Sequence, residues 1–323
     1  MSEAQRTDIE LLTDADGHIF AQQPIEGGAS IIVRIIADSI TDGGSRLITW
    51  CWEYQRMIHA EIMTHRALSR NASSSRAIPA SKLRERVLNA PAIPVHWGQN
   101  QAGMQASAEV TDIDAARAWW LEGRDLMAAH HAKGEALGLH KQIVNRQIEP
   151  WMMISTIISA TDHSNLFHLR KHAMAEPNFQ VVASLAWELF HNHMPVFIQI
   201  NGWHLPYVNA SDMEVSKRTE DLLKLSTARC ARVSYLTHDG KRDRAKDFEL
   251  HDTLAATATK GEDPMHASPL EHPALAVGGR ARIGNFEGWK QYRKFFPHEN
   301  GPDVSVRCYR CGCWGGRHVR DCP

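Results

Sequence analysis

The chain has 323 residues, with 36 Lys and Arg against 37 Asp and Glu, a formal net charge of −1 and 43% hydrophobic residues. That balance describes a globular protein long enough for one large domain or two ordinary ones, and it argues against a general nucleic-acid surface. No apolar stretch approaches the roughly 20 residues of a membrane span, and the polar, acidic start from Met1 to Asp16 is unlike a signal peptide, so the expectation is a cytoplasmic protein with reduced thiols and no membrane or nucleic-acid partner.

Taken in chain order, residues 30–38 are rich in β-branched side chains and predict a strand. From about Gly44 the spacing turns helical, with Leu47, Ile48, Met57, Ile58, Ile62 and Met63 recurring every three or four residues up to His65. Pro79 ends that region, and a loop rich in Pro, Gly, Gln and Asn follows from Asn89 to Gly103. Helices are expected over about 112–138, 141–160, 176–193 and 211–232, with an extended, Pro-bounded segment over 195–209. The charged region 241–266 is helical in its middle, and Phe286 to Arg293 reads as a helix after a Gly-rich stretch. The picture is α+β: one continuous body over residues 1–300 and a Cys-rich tail over 301–323. In that tail Cys308, Cys311, Cys313 and Cys322 cluster with His318, which suits a zinc knuckle, although only the first pair has C-x2-C spacing. Cys51 and Cys230 read as core residues.

Four clusters carry potential chemistry. The first, Thr64 to Arg76, packs one histidine, three arginines, four serines and an asparagine into thirteen residues with no anionic side chain. Guanidinium forks and hydroxyls in that density suit a phosphate or pyrophosphate; a solvated basic turn has the same composition. The second is His168-Leu169-Arg170-Lys171-His172, preceded by Asp162, His163 and Asn165. His168 and His172 share a helix face, but the surrounding cations oppose a metal. The third is Cys230 to Tyr235, and the fourth is His266 to His272 with a helix-start signal at Ser268-Pro269. There is no nucleophile elbow, Walker lysine, H-E-x-x-H pair or Gly-x-Gly-x-x-Gly, so a Rossmann dinucleotide site is not expected.

Together the clusters resemble the flavin-dependent thymidylate synthases, the ThyX family. Its signature, R-H-R-x-x-S-x-N-E-x-S-x-R-Y, is matched in register by His65, Arg66, Ser69, Asn71, Ser74 and Arg76. The family's F-x-N-L-R segment looks like Phe167 to Arg170, followed by Ala175, Glu176, Asn178, Phe179 and Gln180. Its R-x3-P step resembles Arg146 to Pro150, and its C-A-R-V-S-Y and H-x-S-P-F-E-H segments resemble Cys230 to Tyr235 and His266 to His272. The matches span about residues 45 to 293. Their order is rotated relative to the usual family arrangement, so the chain resembles a circularly permuted, phage-type variant, plausible where the original termini lie close together on the surface.

The resemblance implies an α+β fold with a central antiparallel-type sheet and several long helices, assembled as a homotetramer with active sites shared between subunits. It implies an enzyme in which FAD, with NADPH as reductant, relays a one-carbon unit from methylenetetrahydrofolate to C5 of dUMP, giving dTMP. The flavin contacts would fall on His65, Arg66, Ser69, Asn71, His168, Arg170, His266, Ser268 and Glu271. The nucleotide would be held by Ser74, Arg76, Arg146 and Gln180, with Ser74, Arg76, Gln180 and Glu61 nearest the reacting base. The chain departs from the pattern at Thr64, Ala72 and Ala77, where the family has Arg, Glu and Tyr. Glu61 stands for a nucleotide-binding Gln, and Gln180 for a base-contacting Arg. An acceptor oxygen at those positions suits the amino group of cytosine, so dCMP or another pyrimidine nucleotide, methylated or hydroxymethylated, is the alternative substrate. A nucleotide-binding homologue without catalysis is the alternative function.

Overall fold

The computed structural model describes residues 9–234, 243–260, 267–297 and 299. The Cys-rich tail with Cys308, Cys311, Cys313 and Cys322, and also His266 and Tyr235, lie outside the described residues.

The centre is a mostly antiparallel sheet. A short hairpin of β1 (Leu12–Thr13) and β2 (Ile19–Gln23) leads into β3 (Ile31–Ile40), which pairs with β4 (Arg46–Gln55). After α1 (His59–Ile62) the chain forms β5 (Ser69–Ala72). Helices α2 (Ala80–Asn89), α3 (Ile113–Ala136) and α4 (Lys141–Val144) follow, then a 3-10 stretch over Asn145–Trp151 and β6 (Met153–Ala160). β6 inserts antiparallel between β4 and β5, giving the order β1-β2-β3-β4-β6-β5. Beyond α5 (Ser164–Arg170) and α6 (Pro177–Asn192), β7 (Val196–Phe197) adds parallel to the end of β3.

Two sequence expectations fail here for one reason. The helical pattern from Gly44 and the helix expected over 141–160 are in large part the strands β4 and β6. Both are central strands covered on both faces, so their apolar residues form runs rather than an alternation, and a short apolar run is compatible with either element until its partner is known. Only Met57, Ile58 and Ile62 to Met63 keep a helical or turn setting near the end of that region. Ala80–Asn89, which the sequence reading assigns to no element, is a helix opened by Pro79.

One face of the sheet buries Trp50, Trp52, Tyr54 and Ile158 against Phe179, Val182, Leu185 and Leu189 of α6 and Leu166 of α5. The periodicity of α6 is the expected one, and Glu176 caps it by accepting from Phe179 N at 2.8 Å, with Pro177 in the first turn where its missing N–H costs nothing. On the other face, Cys51 and Ile157 pack with Cys230 of α8 (Thr219–Ala231) and Val233 of the 3-10 turn after it; α8 follows α7 (Ala210–Val215) and precedes α9 (Arg244–Lys260). Cys51 and Cys230 are buried core thiols, as expected.

A small sheet of β8 (Trp203–His204), β9 (Ala274–Ala276) and, after the β10 (Arg282–Ile283) and β11 (Phe286–Glu287) hairpin, β12 (Trp289–Gln291) covers Leu47. The helix expected over Phe286 to Arg293 is therefore β11, β12 and a single 3-10 turn, Tyr292–Phe295. Gly288 decides this: its φ is +72°, and a Cβ there would sit 2.8 Å from the Gly279 carbonyl oxygen, which no helix interior requires.

No helix among the described residues is long and apolar enough to cross a membrane.

Candidate functional site

The first cluster folds as a turn that leaves α1 and enters β5. Arg70 closes it: its Nη1 donates to the carbonyls of Ile62 at 3.2 Å, Met63 at 2.8 Å and His65 at 3.1 Å. Two of these carbonyls also accept from the backbone, Ile62 from His65 N at 3.2 Å and His65 from Leu68 N at 3.3 Å, so Arg70 braces the turn and is not free for an anion.

That closure holds His65 inward, where it is buried. Arg170, at the end of α5, donates from Nε to His65 Nε2 at 3.0 Å and from Nη1 to Glu61 Oε2 at 2.8 Å. Its guanidinium also lies 4.7 Å from the centre of the Phe179 ring, and His65 meets the same ring edge-on at 5.7 Å. Burial, with Arg170 and Arg70 adding, pushes the His65 pKa down to about 4. The imidazole is thus neutral near pH 7, accepting at Nε2 and carrying its proton on Nδ1. Glu176 stands close by, its pKa raised by burial, with the nearby Glu61 charge adding. Gln180 donates from Nε2 to the carbonyls of His172 at 3.1 Å and Lys171 at 3.4 Å, so its amide nitrogen is committed to the end of α5.

The fourth cluster meets β5 from the other side. Asn71 donates from Nδ2 to the Cys230 carbonyl at 2.8 Å and accepts from Ser268 Oγ at 3.3 Å. Ser69 Oγ accepts from Gln291 Nε2 at 2.8 Å and Asn285 Nδ2 at 3.0 Å. Glu271 is held by Arg293 at 2.6 Å. His272 turns into the core instead. It ends a buried row in which Ser159, Thr49, His204 and Ser39 are linked by side-chain contacts of 2.6–2.9 Å. Burial pushes the pKa of His204 and His272 down to about 3, so this row is neutral and structural.

Further along, Ser74 caps the 3-10 turn Ser75–Ala77 by accepting from Arg76 N at 3.3 Å. Ser75, buried, donates to Glu149 Oε1 at 2.6 Å, and Arg146 donates to the two oxygens of the same carboxylate at 3.1 and 3.4 Å. Arg66 and Arg76 are exposed, and neither side chain has a hydrogen bond or ion pair among the described residues. Ser73 and Ala77, which bracket Ser74 and Arg76, both line a cleft of about 1250 Å³. Arg232 of the third cluster lines it too, together with Trp151, Met152 and Lys82. Arg232 is paired there with Asp247 at 2.7 Å.

The structure therefore brings Glu61, His65 and Arg170 together, and joins Ser69 and Asn71 to Ser268 and the segment that holds Glu271. Ser74 and Arg76 do not themselves line the large cleft; their neighbours Ser73 and Ala77 do. His168 stands apart: it is exposed and lines a separate hollow with Phe167, Lys171, Trp187 and His191. Asn285, Gln291 and Arg293 belong to the site's framework and were missed by the sequence reading. Their segment reads as a helix in one dimension, and nothing local marks a residue that acts on Ser69 more than 200 positions away. Among the described residues no group of three His, Cys, Asp or Glu side chains could hold a metal ion.

No protein-family model matches the chain, and no curated protein matches it. Among solved structures it is similar to a UMP/dUMP methylase PolB from Streptomyces cacaoi bound with 5-Br UMP. The TM-score is 0.42 and the identity 14%, over 52% of this chain and 92% of that one. The same enzyme bound with 5-Br dUMP gives a TM-score of 0.42 and 14% identity over 51% and 92%.

Proposed function

We propose that this chain is a flavin-dependent pyrimidine-nucleotide C5 methyltransferase of the thymidylate synthase type, acting most simply on dUMP. The observation that supports it is convergence on one short strand and the turn before it. Arg170 reaches His65 from 105 residues away, the Cys230 carbonyl reaches Asn71 from 159, and Ser268 reaches Asn71 from 197. Motif matches that arose by chance have no reason to meet in space, whereas matches inherited with a site do.

The donor set suits the groups such an enzyme binds. Arg66 has no partner among the described residues, and Asn71 and Ser268 are half-buried and joined only by a long 3.3 Å contact, which fits them to an anionic pyrophosphate. Arg66, Asn71 and Ser268 would hold the FAD pyrophosphate, with His65 fixed behind them by Arg170. Arg76 and Ser74 would hold the nucleotide phosphate. Bound flavin would supply the redox chemistry that carries the one-carbon unit of methylenetetrahydrofolate to C5 of the pyrimidine, with NADPH as reductant. The same reading carries a homotetramer with shared sites, where the exposed Arg146 would leave Glu149 for a phosphate. Thr64 and Ala72 remove an arginine and a carboxylate from the flavin side, so tight flavin binding rests on fewer contacts.

One observation favours cytosine as a second substrate. Because the Gln180 amide nitrogen is committed to two carbonyls, its oxygen is the group left to present. An acceptor matches the exocyclic amine of dCMP rather than the O4 of dUMP.

The test is the visible spectrum of the purified protein before and after FAD addition and desalting, followed by tritium release from C5-labelled dUMP and dCMP. A retained flavin band with folate-dependent release from dUMP is the expected result. Release from dCMP alone would move the substrate to cytosine. Nucleotide binding with no flavin and no release would leave a binding protein and overturn the enzymatic reading.

A further inference from the structure

α3 runs for 24 residues, yet only Ala128 and His131 within it are fully buried. Asp112 caps it by accepting from Ala115 N at 2.8 Å, so the helix is well begun and its exposure is not a frayed end. Its inner side packs on α2 and on the 3-10 stretch that holds Trp151, where Gly123 lets the indole approach to about one van der Waals contact. The outer side carries an ordered stripe: Ala115, Trp119, Glu122, Leu126, His130, Lys133 and, at the C-cap, Leu137. At 100° per residue these fall within about 40° of one line. All seven are exposed, Trp119 by 67%, Leu126 by 65% and Leu137 by 79%, which is far from the ordinary state of large apolar side chains.

The stripe is palindromic about Leu126. The four, three and four residue spacing on either side is common to any helix stripe; what marks Leu126 is the chemistry of the pairs that it brings together. Laid antiparallel against a copy of itself with Leu126 on a two-fold axis, the helix sets Glu122 opposite His130 and Trp119 opposite Lys133. Ala115 falls opposite Leu137, and Leu126 meets its own counterpart. Each pairing is chemically matched: a carboxylate with an imidazole, a cation with an indole face, a small residue with a large one. Glu122, His130 and Lys133 make no ion pair with other described residues, so their polar groups are available for this use. A two-fold interface requires this kind of self-complementarity, and a 3-and-4 spacing is the one that interdigitates in antiparallel helix pairs. One helix pair is small against the roughly 800 Å² per partner of a stable interface.

We propose that the outer face of α3 is a homotypic interface, occupied by the same helix of a second copy in antiparallel register with Leu126 at the axis. Self-association is already part of the proposed function; what the helix adds is the face and the register, which the Leu126 and Glu122 variants test whether or not flavin binds.

The experiment is mass measurement by light scattering or sedimentation on the full chain. Leu126→Glu sets two carboxylates against each other at the axis and should halve the assembled mass, with the far-ultraviolet spectrum unchanged because Leu126 is exposed. Glu122→Lys should weaken the association at least tenfold, and adding His130→Glu should restore it, since each copy then supplies both reversed charges. Leu126→Cys should cross-link to itself on mild oxidation, giving one disulfide-linked 126–126 peptide by mass spectrometry. A wild-type monomer, an unchanged mass for Leu126→Glu, or a double charge reversal that stays dissociated would each overturn the proposal.

Discussion

Replacing Arg170 with alanine is the most direct probe of the cluster around His65. The side chain is only 19% exposed and makes three kinds of contact at once. Its bond to the neutral, buried His65 has a charged donor and contributes about 1.5–3 kcal/mol. Its position over Phe179 contributes about 0.5–1 kcal/mol. The pair with Glu61 is half-exposed on the carboxylate side and, screened by solvent and salt, adds less than about 1 kcal/mol. The expected loss is therefore about 2–4 kcal/mol, with part of it returned where water reaches Glu61. Urea unfolding followed by tryptophan fluorescence measures it, and the chain's ten tryptophans give ample signal. A second readout separates this network from general damage. Arg170 is the largest charge holding the His65 pKa down after burial itself, so its removal should raise that pKa from about 4 while burial keeps it below the ordinary 6.5. The imidazole carbon resonance followed against pH reports this directly. Arg170→Lys keeps the charge but not the two-pronged geometry and should fall between the two. A stability loss under about 0.5 kcal/mol with an unmoved His65 titration would refute the network.

Arg76→Ala should weaken dUMP binding about 10- to 100-fold in calorimetry, the effect of losing one charged hydrogen bond, without lowering the melting temperature, because the Arg76 side chain has no hydrogen bond or ion pair among the described residues; an affinity within twofold of wild type counts against its phosphate role. Acid should destabilise the fold before the carboxylates titrate. Burial holds His163 near pKa 4 and His204 and His272 near 3, all below their unfolded value of about 6.5, so the unfolded state binds more protons as pH falls. Their contribution is intact above pH 6.5 and is lost on acidification from there toward 4, on the order of 3 kcal/mol for His163 alone, and a melting temperature constant over that window contradicts it. Asp212→Ala should cost about 3–5 kcal/mol, because it strips the buried Arg229 of a two-pronged carboxylate at 2.5 and 2.8 Å; calorimetric unfolding checks this, and a change under 1 kcal/mol would mean that Asp247 and the Tyr207 carbonyl suffice.

What the sequence determined by itself is local. The β-branched run became β3, and the capped, periodic segments became α3 and α6, because those signals lie within a few residues of the structure they specify, whereas the single helix expected over 211–232 is broken into α7 and α8 by an extended stretch at Ser216–Arg218. The cluster from Thr64 to Arg76 was legible as a concentration of donors for the same reason. β4 and β6 were not, since a buried central strand and a buried helix draw on the same apolar residues and only the partner strand decides between them. The site's inner wiring was equally hidden. Composition counts arginines without distinguishing Arg70, turned onto three carbonyls, Arg170, turned onto His65 and Glu61, and Arg146, turned onto Glu149, from Arg66 and Arg76, which have no such partner among the described residues. A guanidinium is available to a ligand only if no acceptor of its own chain stands within reach, and the acceptors here come from segments up to about a hundred residues away. Which face of α3 meets the core, and which is left for a partner, follows in the same way from where α2 and Trp151 settle rather than from anything in the helix itself.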